Sequence, residues 1–514
     1  MQLGVLLQAG EVEQADGNLE RAVAGLAYDS RRVKPGFVFF AVPGARSDGH
    51  EFVNDALTRG AAAVVTERAD SRSGSAATIR VRNVRRAMGQ WSARFYDYPS
   101  RGIRVAGVTG TNGKTTVTYI LESIFRAAGA ATGVVGTVNY RYRDSVLPAP
   151  HTTPESVDLH RLLADMARAG VESVAMEVSS HALELERVRG IDFDAAIFTN
   201  LTRDHLDFHG DMESYFASKS KFFTDYLPAS GKKKKSAVIH GSDPRGPELL
   251  EKSAARGLDT VSYGRDAKWD VHPVNITGDL GGLRGELRMR ERSIPFSSQL
   301  IGATNLENIL AAAAAAFAMG IEPDAIARGL AALKTVPGRL EKVDNDRSVT
   351  VLVDYAHTPD ALERALKLLK PLTPGRLIAV FGCGGDRDRG KRPLMGEAGA
   401  RLADIAVLTS DNPRTEDPMK ILDEVEAGAK KSGIKRIESG NSKLKTQNSK
   451  FYLVEPDRRA AIRVALTLAR ASDLVLLAGK GHEDYQILGT EKIHFDDREV
   501  AREEMEKLSI LKVL

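Results

Sequence analysis

Cysteine is almost absent from this chain of 514 residues, since Cys383 is the only one. A single thiol excludes an internal disulfide framework and is typical of a reducing compartment, so a cytoplasmic protein is expected. The four consecutive lysines at 232–235 have no aromatic residues among them. Binding to nucleic-acid bases uses such interleaved aromatics, so this run predicts a solvated loop and not a nucleic-acid site.

The chain also has little excess of one sign of charge and few long apolar runs. The formal net charge of +4 is nearly neutral for so long a chain, and nothing in it predicts a nucleic-acid partner. The most apolar run, at 309–319, is too short to cross a bilayer and predicts a buried helix. The first residues lack a basic region and soon turn acidic, so neither a signal peptide nor membrane insertion is expected.

Length and patterning predict an α/β protein of three domains, at roughly 150 residues each. Residues 1–100 hold short strands and predict a small α/β domain. In residues 101–336 strands alternate with helical patterns, which is typical of a parallel sheet, and the Pro337-Gly338 turn marks the next boundary. Residues 337–514 alternate again, and within them the polar residues 439–450 predict a surface insertion. The strands predicted there are 349–353, 377–381, 406–408 and 474–478.

A phosphate-binding turn is predicted at residues 109–116, which read Thr-Gly-Thr-Asn-Gly-Lys-Thr-Thr after the apolar run 103–108. The following apolar residues recur at helical spacing, so the segment predicts a strand, a glycine turn and a helix. N–H groups at a helix N-terminus, glycines and a lysine together bind phosphates. Val108 stands where the strict P-loop pattern has glycine. The predicted nucleoside triphosphate site comprises Gly110, Thr111, Asn112, Gly113, Lys114, Thr115 and Thr116, with Thr115 as a magnesium ligand.

Polar residues also follow the carboxyl ends of other predicted strands, where ligands bind in open α/β sheets. A carboxylate in such a place can instead be a helix N-cap, and for Asp354 alone the two interpretations are evenly balanced. Several such positions on two sheets favour a functional edge. They are Glu177, Asn200 with His205, Asp354, 385–387, 411–414 and 479–483.

On these residues the chain resembles the Mur ligases, a family of ATP-dependent amide-forming enzymes, over essentially its whole length. The resemblance is carried by residues 109–116, 176–181, 200–207, 302–305, 337–339, 354–359 and 382–393. Asp29-Ser30-Arg31 and Asp411-Asn412-Pro413-Arg414 resemble the members that add meso-diaminopimelate to UDP-N-acetylmuramoyl-L-alanyl-D-glutamate.

The resemblance implies a function for each predicted domain. Residues 1–100 would bind the uridine nucleotide, the P-loop ATPase-like domain at 101–336 would bind ATP, and the Rossmann-like domain at 337–514 would bind the amino acid. It also implies a monomer, and an ATP site completed from two domains implies that closure precedes reaction.

The resemblance further implies how the reaction proceeds. ATP would convert the D-glutamate side-chain carboxylate into an acyl phosphate, which the incoming amine attacks, so catalysis is mostly positioning and charge neutralisation. Lys114 would hold the outer phosphates, while Thr115, Glu177 and His205 would hold magnesium. Asn305, Arg339 and Asp354 would complete the ATP site, and Lys219 would carry a carbamate derived from CO2.

Lys219 is one of several lysines on a predicted helix, and an exposed helix face is the simpler interpretation of the sequence. Its register after His205 and Tyr215 matches the lysine that reacts with CO2 in the family. Lys221 is the competing candidate, and the register favours Lys219.

For the uridine-nucleotide substrate, the resemblance implies contacts from both of the first two predicted domains. The residues are Ser30, Ala45, Arg46, Ser47, Thr152, Thr153, Ser179 and Arg187. The chain departs from the family pattern at two positions, where His151 replaces the usual asparagine and Leu185 the usual glutamine.

The amino-acid site would set the remaining specificity. Diaminopimelate has a second amino-acid head where L-lysine has a bare ammonium, so its pocket needs a group that binds a carboxylate. Arg414, with Arg387 nearby, offers bidentate geometry, although an ordinary surface ion pair is the alternative for Arg414. The other residues assigned to this site are Asp411, Asn412, Pro413, Gly479 and Glu483, several of which can accept from ammonium groups.

Three alternatives stay open. An L-lysine-adding version of the enzyme would differ mainly at the amino-acid site. A folylpolyglutamate synthase-like ligase shares the architecture but would lack the N-terminal domain. A nucleotide-driven switch or motor would share the phosphate loop and leave the polar strand ends of the last segment unexplained.

Overall fold

The computed structural model describes residues 1–44, 47–68, 76–438 and 450–510. The chain divides into two compact units. The first contains Met1–Ile276, Gly285–Phe296 and Glu307–Ala332, and the second contains Thr277–Arg284, Ser297–Leu306 and Leu333–Leu514. Two of the sequence predictions, the substrate contacts at Ala45 and Arg46 and most of the insertion at 439–450, lie outside the described residues.

The N-terminal part of the first unit is built on a five-stranded sheet. Its elements are α1 (Leu3–Leu7), β1 (Gln14–Asp16), β2 (Gly25–Ala27), β3 (Phe37–Phe40), α2 (Val53–Thr58), β4 (Ala63–Thr66), β5 (Ala77–Arg80) and α3 (Val84–Phe95). The strand order is β1-β5-β4-β3-β2, with only β1 antiparallel to its neighbour. Trp91 of α3 is fully buried against Phe40 of β3, so the helix packs on the sheet through its apolar side.

An eleven-stranded sheet follows, and most of it belongs to the first unit. Its strands are β6 (Arg104–Thr109), β7 (Thr132–Val135), β8 (Tyr140–Tyr142), β9 (Ser145–Leu147), β10 (Ser173–Glu177), β11 (Ala195–Phe198), β12 (Ser236–His240), β13 (Asp259–Tyr263), β14 (Val271–Asp279), β15 (Gly282–Met289) and β16 (Arg292–Ser298). The order is β16-β15-β14-β13-β12-β11-β6-β10-β7-β8-β9, and β7, β10, β6, β11, β12 and β13 are parallel. Since β6 lies between β10 and β11, the carboxyl ends of these three strands meet at one edge.

The helices of this region connect or follow these strands. They are α4 (Lys114–Ala127), α5 (Ser156–Arg168), α6 (Ser180–Glu184), α7 (Leu206–His209), α8 (Met212–Lys221), α9 (Gly246–Ala254), α10 (Ala303–Ala318) and α11 (Pro323–Ala332). A short π-helix, Phe222–Tyr226, continues α8. The apolar run at 309–319 is confirmed as a buried helix, since Ala311–Ala316 of α10 are fully buried.

The second unit holds a seven-stranded, mostly parallel sheet and a separate hairpin. The strands are β17 (Glu341–Lys342), β18 (Thr350–Asp354), β19 (Leu377–Phe381), β20 (Ile405–Leu408), β21 (Lys435–Arg436), β22 (Phe451–Val454) and β23 (Leu474–Ala478), and the hairpin is β24 (Tyr485–Leu488) with β25 (Glu491–His494). The sheet order is β17-β18-β23-β19-β20-β22-β21. The helices are α12 (Pro359–Leu369), α13 (Lys391–Leu402), α14 (Pro418–Lys431), α15 (Arg458–Leu468) and α16 (Asp497–Ile510).

Both faces of this second sheet are buried. Leu474, Leu476 and Ala478 of β23 belong to one apolar cluster, and the alternating Val475 and Leu477 belong to another. Strands covered on both faces read as continuous apolar runs, which is why the sequence pattern located them. Among residues 1–44, 47–68, 76–438 and 450–510, no helix combines the length and the apolarity that crossing a membrane requires.

Candidate active site

The phosphate loop joins β6 to α4, so the strand, turn and helix predicted from the sequence are confirmed. Gly110 and Gly113 have φ values of +144° and +90°. A Cβ on Gly110 would lie 1.9 Å from Thr199 Oγ1, and one on Gly113 would lie 2.3 Å from Asn308 Oδ1. Both the backbone angles and the space therefore require glycine at these two positions.

The loop that follows β11 holds the phosphate loop in place. The backbone N–H of Asn112 donates to Asn200 Oδ1 at 2.9 Å, and Asn200 Nδ2 donates to the Asn112 carbonyl at 3.1 Å. Thr199 Oγ1 donates to the same carbonyl at 2.6 Å, and Thr111 Oγ1 accepts from the backbone N–H of Thr202 at 3.0 Å. Asn200, which the sequence placed at a strand end with functional residues, thus positions the loop.

Two lysines converge on one backbone carbonyl of this loop. Lys114 Nζ donates to the Gly110 carbonyl at 3.0 Å and to the Thr111 carbonyl at 2.9 Å. Lys219 Nζ donates to the same Gly110 carbonyl at 2.9 Å and lies 4.5 Å from the centre of the Tyr215 ring.

Lys219 is only 1% exposed, so the exposed-face interpretation of this lysine is wrong. Burial, and then the charge of Lys114, lower the pKa of Lys219 well below its usual value, against a smaller opposing effect of Asp204. Lys221, the competing candidate on the same helix, has a side chain that is 41% exposed and forms an ion pair with Glu184 at 2.7 Å.

A hydroxyl and a carboxylate lie together beside the loop. Thr115 Oγ1 donates to Glu177 Oε1 at 3.0 Å, and the same carboxylate accepts from the N–H and the hydroxyl of Thr137 at 2.9 and 3.1 Å. Glu177 is 1% exposed and stands at the end of β10. These oxygens fit a hard cation such as Mg²⁺, which prefers one or two carboxylates together with phosphate oxygens and water. In the described parts of the chain, no group of three or more His, Cys, Asp or Glu side chains could hold a metal ion by itself.

His205 directly precedes α7, in the segment that follows β11. Its backbone is in the left-handed region, with φ of +53°. Its side chain is 47% exposed, and its Nε2 is 3.5 Å from Asp204 Oδ2. Burial is the largest cause of a lowered pKa for His205, with Lys114 and Lys219 lowering it further and Asp204 opposing them. The neutral imidazole that results is the form that binds a metal ion.

Two further histidines surround His205, and the sequence analysis missed them as members of the site. The ring of His181 lies 5.0 Å from that of His205 and 5.6 Å from that of His209. Burial and the two neighbouring histidines lower the pKa of His181 to about 4. His181 belongs to the motif at 176–181, but the sequence did not indicate that its ring lies near that of His209.

Four of the residues predicted to bind the uridine nucleotide lie together next to Glu177. Thr153 Oγ1 donates to the Glu177 carbonyl at 2.9 Å and lies 3.5 Å from Ser179 Oγ. Arg187 Nη1 donates to the Thr153 carbonyl at 3.1 Å. Thr152 Oγ1 is 3.0 Å from the hydroxyl of Thr137, which binds Glu177.

Glu155 was missed by the sequence analysis. Its carboxylate forms ion pairs with Arg187 Nε and with Arg85 Nη1, both at 3.0 Å. It therefore fixes the position of the predicted substrate arginine, and no sequence signal distinguished it from other acidic residues.

Two more of the residues predicted to bind the nucleotide are described, Ser30 and Ser47. Ser30 is buried in the 3-10 turn Ser30–Arg32, and Asp55 is its side-chain partner. Ser47 is exposed. No hydrogen bond within the described ranges joins either serine to the group around Thr153. Of the two departures from the family pattern, His151 is exposed and Leu185 directly follows α6.

The second unit carries the other residues predicted to bind ATP. Asn305 is buried, with Nδ2 donating to the Ile301 carbonyl at 2.9 Å. The guanidinium of Arg339 lies 5.0 Å from the centre of the Tyr355 ring. Asp354 accepts from the N–H groups of Leu340 and Ala356 at 2.8 and 3.0 Å.

The N-cap interpretation of Asp354 is wrong, because Thr358 caps α12. Burial raises the pKa of Asp354, and Arg339 opposes that effect. The carboxylate of Asp354 therefore does not cap the helix, and the charged group that acts on it is the guanidinium of Arg339.

Most of the predicted amino-acid site is assembled at the carboxyl ends of β20 and β23. Asn412 Nδ2 donates to Glu483 Oε2 at 3.2 Å, and Gln486 Nε2 donates to the Asp411 carbonyl at 2.7 Å. Gly479 has φ of +118°, and the nearest atom to a Cβ built there is Asp411 Cγ at 4.0 Å. Open space therefore lies beside the Asp411 side chain, which is 13% exposed, whereas its Oδ1 is buried and lies 3.5 Å from Lys480 Nζ.

Arg414 follows the buried Pro413 and is held by the backbone on both sides. Its N–H donates to the Ile487 carbonyl at 3.0 Å, and Nη1 donates to the Gly385 carbonyl at 2.9 Å. Within the described residues, Nε and Nη2 have no hydrogen-bond partner, so the surface ion-pair interpretation is wrong for this arginine. Arg387 is exposed and donates to the neighbouring Asp386 carbonyl at 3.1 Å.

Three supports of this site were missed from the sequence. Lys480 is fully buried and lies 3.5 Å from both Asp411 Oδ1 and Glu483 Oε2. The hairpin of β24 and β25 holds the backbone of Arg414, through the Ile487 carbonyl and the N–H of Gly489. Arg392, also fully buried, pairs with Glu416 and Glu424 behind the loop at 384–387. Lys480 and Arg392 stood inside quoted motifs, but nothing in the sequence indicated their burial.

Comparison with known proteins covers the whole chain. Three family models match it, namely the Mur ligase family, catalytic domain at residues 22–96, the Mur ligase middle domain at 108–316, and the Mur ligase, glutamate ligase domain at 338–481. A protein of Geobacter metallireducens named UDP-N-acetylmuramoyl-L-alanyl-D-glutamate–2,6-diaminopimelate ligase is 48% identical over 99% of both chains. The protein of the same name from Geobacter sulfurreducens is 49% identical over 94% of this chain and 95% of its own.

Solved structures agree with these relatives. A structure titled as a UDP-N-acetylmuramoyl-L-alanyl-D-glutamate–2,6-diaminopimelate ligase is 32% identical, with a TM-score of 0.72 over 99% of both chains. A Mycobacterium tuberculosis folylpolyglutamate synthase shares the fold at 20% identity and a TM-score of 0.60, but it covers only 77% of this chain. With three family models along its length and relatives nearly half identical end to end, the chain belongs to the Mur ligase family.

Proposed function

We propose that the protein is the ligase that adds meso-diaminopimelate to the D-glutamate side-chain carboxylate of UDP-N-acetylmuramoyl-L-alanyl-D-glutamate, at the expense of ATP, in peptidoglycan precursor synthesis. The relatives at 42–49% identity carry that name. The observation that carries the proposal is the buried cluster at the phosphate loop, where Lys114 and Lys219 converge on Gly110 beside the Thr115–Glu177 pair. A cytoplasmic monomer remains the expectation.

The cluster suits phosphoryl transfer to a carboxylate. The glycine loop and the first N–H groups of α4 would donate hydrogen bonds to phosphate oxygens. Lys114, which now donates to the carbonyls of Gly110 and Thr111, would turn to the phosphates when ATP binds. Magnesium, held by Thr115, Glu177 and His205, would neutralise the charge that builds up on the transferring group. The D-glutamate carboxylate becomes an acyl phosphate, which is attacked by the amine of diaminopimelate with release of phosphate.

The proposed role of Lys219 is to carry a carbamate. Only a neutral amine adds to CO₂, forming the N–C bond and releasing a proton, and enclosure beside Lys114 favours that neutral form. The modification converts the amine into an anion, which would give Lys114 a neighbour of opposite charge. The carbamate would also supply an oxygen ligand for magnesium.

Substrate residues are proposed separately for each part of the substrates. The uridine nucleotide would contact Ser30, Ser47, Ala45 and Arg46 from the N-terminal sheet, and Thr152, Thr153, Ser179 and Arg187 beside Glu177. Asn305 is proposed to lie near the adenine of ATP, and Arg339 and Asp354 are proposed to complete the ATP site. Diaminopimelate would contact Arg414, Asp411, Asn412, Gly479 and Glu483, and Arg387 is proposed as a neighbour of its outer carboxylate.

The test is a product assay with purified protein. Phosphate release and product mass are measured with ATP, the uridine-nucleotide dipeptide and either meso-diaminopimelate or L-lysine. The proposal expects release only when all three substrates are present, a product heavier by one diaminopimelate residue, and a slower reaction with L-lysine. Preference for L-lysine would instead identify the alternative enzyme, while steady release without any acceptor would identify a switch or motor ATPase.

A further inference from the structure

The proposed amino-acid site surrounds one buried cation that the proposed reaction does not use. Lys480 follows β23 and is fully buried. Its Nζ lies 3.5 Å from Asp411 Oδ1, 3.5 Å from Glu483 Oε2 and 3.4 Å from Asn412 Oδ1. Each distance is longer than the usual 2.7–3.2 Å for N–H···O bonds, so the ammonium is shared among three acceptors and is not committed to one of them.

The charges of this cluster leave a place for one more cation. Two carboxylates face one ammonium, so the group carries one negative charge in excess. Asp411 Oδ1 is buried, with Lys480 3.5 Å away, while the side chain as a whole keeps 13% of its surface exposed and faces the space beside Gly479. The ammonium of a bound amino acid that enters this space would balance the excess negative charge.

Two carboxylates this close would disturb each other without Lys480. Burial is the main reason why the pKa of Glu483 is raised, and Asp411 raises it further, whereas Lys480 and the amide of Asn412 lower it. A protonated Glu483 would be a donor and a weaker partner for a substrate ammonium. Among the described residues, Lys480 is the only cation with an ion pair to both carboxylates. The buried Arg458 also acts on both through its charge, but it is paired with Asp497 at 2.6 Å.

A general packing or ring-stacking role is the alternative, and the chain offers its own comparison. Lys492 of β25 lies over the same Tyr485 ring, at 3.7 Å from its centre against 5.6 Å for Lys480. It is exposed, and none of its described contacts includes Asp411 or Glu483. If stacking on Tyr485 were the important contact, Lys492 would matter more than Lys480.

We propose that Lys480 is a positioning residue of the amino-acid site, whose buried ammonium holds Asp411 and Glu483 as two separated anions so that their free oxygens bind the ammonium of diaminopimelate. Lys480 does not touch the substrate, because it is enclosed by the side chains that would. This inference rests on the proposed function.

The first experiment compares Lys480→Met with Lys492→Met in the ligation assay. In Lys480→Met the KM for diaminopimelate should rise by roughly tenfold or more, because a buried charge pair loses one partner. The KM values for ATP and the uridine-nucleotide substrate should stay near those of the wild type, and kcat should fall much less than kcat/KM. Lys492→Met should behave as the wild type. An unchanged KM in Lys480→Met, or an equal loss for all substrates, overturns the inference.

A second variant decides the matter if Lys480→Met does not fold. Lys480→Ala removes the atoms of propylammonium, so added propylammonium should restore diaminopimelate binding, whereas the isosteric neutral 1-propanol should not. Equal rescue by both compounds, or rescue by neither, overturns the inference. Wild-type protein is assayed alongside, so failure of the proposed function appears as missing product in the wild type and is distinct from failure of the role of Lys480.

Discussion

Replacing Arg414 with alanine is the sharpest test of the proposed amino-acid specificity. The Gly385 carbonyl holds Nη1 at 2.9 Å, which leaves Nε and Nη2 to form a bidentate pair with the outer carboxylate of diaminopimelate. Truncating one partner of a buried charge pair costs about 2–5 kcal/mol. Since Arg414 is only half-buried, the lower part of that range applies, about 2–3 kcal/mol. At 1.4 kcal/mol per tenfold, kcat/KM for diaminopimelate should fall roughly 30- to 150-fold.

Steady-state kinetics with two amino acids measures this effect. The KM for diaminopimelate should account for most of the loss, while the constants for ATP and the uridine-nucleotide substrate change little. L-lysine lacks the outer carboxylate and should lose far less, so the preference between the two amino acids narrows.

Arg387→Ala is the matched control, because Arg387 is exposed on the neighbouring loop and its hydrogen bond among the described residues is to the adjacent Asp386 carbonyl. Its effect should be severalfold smaller. If the preference stays unchanged in Arg414→Ala, the specificity lies in Arg387 or elsewhere. A wild-type enzyme that favours L-lysine would refute the assignment of residues 411–414.

Three further outcomes are expected. Lys219→Ala should be nearly inactive, and short-chain carboxylic acids should partly restore its activity because they replace the carbamate. Lys221→Ala, on the more exposed side of the same helix, should keep its activity. Full activity of Lys219→Ala without added acid would reject the carbamate. Lys114→Ala should lower kcat by a factor on the order of 10²–10³ or more with an unchanged melting temperature, since the lysine stabilises transferring charge and packs no core; near wild-type turnover would move the ATP site elsewhere. Burial raises the pKa of Cys383 to about 12, so iodoacetamide should label it far more slowly in the native protein than in urea, and rapid native labelling would contradict its buried position.

The elements of the fold were largely predictable from local patterns. The strands predicted at 377–381 and 474–478 have those bounds in the structure, and the strand, glycine turn and helix at the phosphate loop are present. Strands buried on both faces are continuous apolar runs, and α4 has apolar residues at helical spacing, so both signals survive in the sequence alone. The β24–β25 hairpin was not predicted, because its residues show no comparable alternation.

The burial of individual charged residues was not predictable. The lysines at 232–235 were expected to form a solvated loop, yet Lys232 lies 3.1 Å from Asp194 with its side chain only 12% exposed. Lys480 and Arg392 are fully buried, although the sequence around them resembles an exposed loop and a helix start. A charged residue is buried only where distant acceptors surround it, and the sequence does not say which acceptors those are.

The sequence by itself determined the α/β class and the position of the phosphate loop. It also determined which residues are chemically able to hold phosphates, magnesium and a second carboxylate. All of these properties depend on residue type and on spacing within a few turns or strands. Only the tertiary structure decided that Lys219 is the buried lysine and Lys221 the more exposed one. That choice depends on the side of α8 that meets Gly110, 109 residues away in the chain. It also decided that Asp354 caps no helix and that Asp411, Glu483 and Lys480 share one cluster, because the parallel order of β18, β23, β19 and β20 brings separate strand ends to one edge.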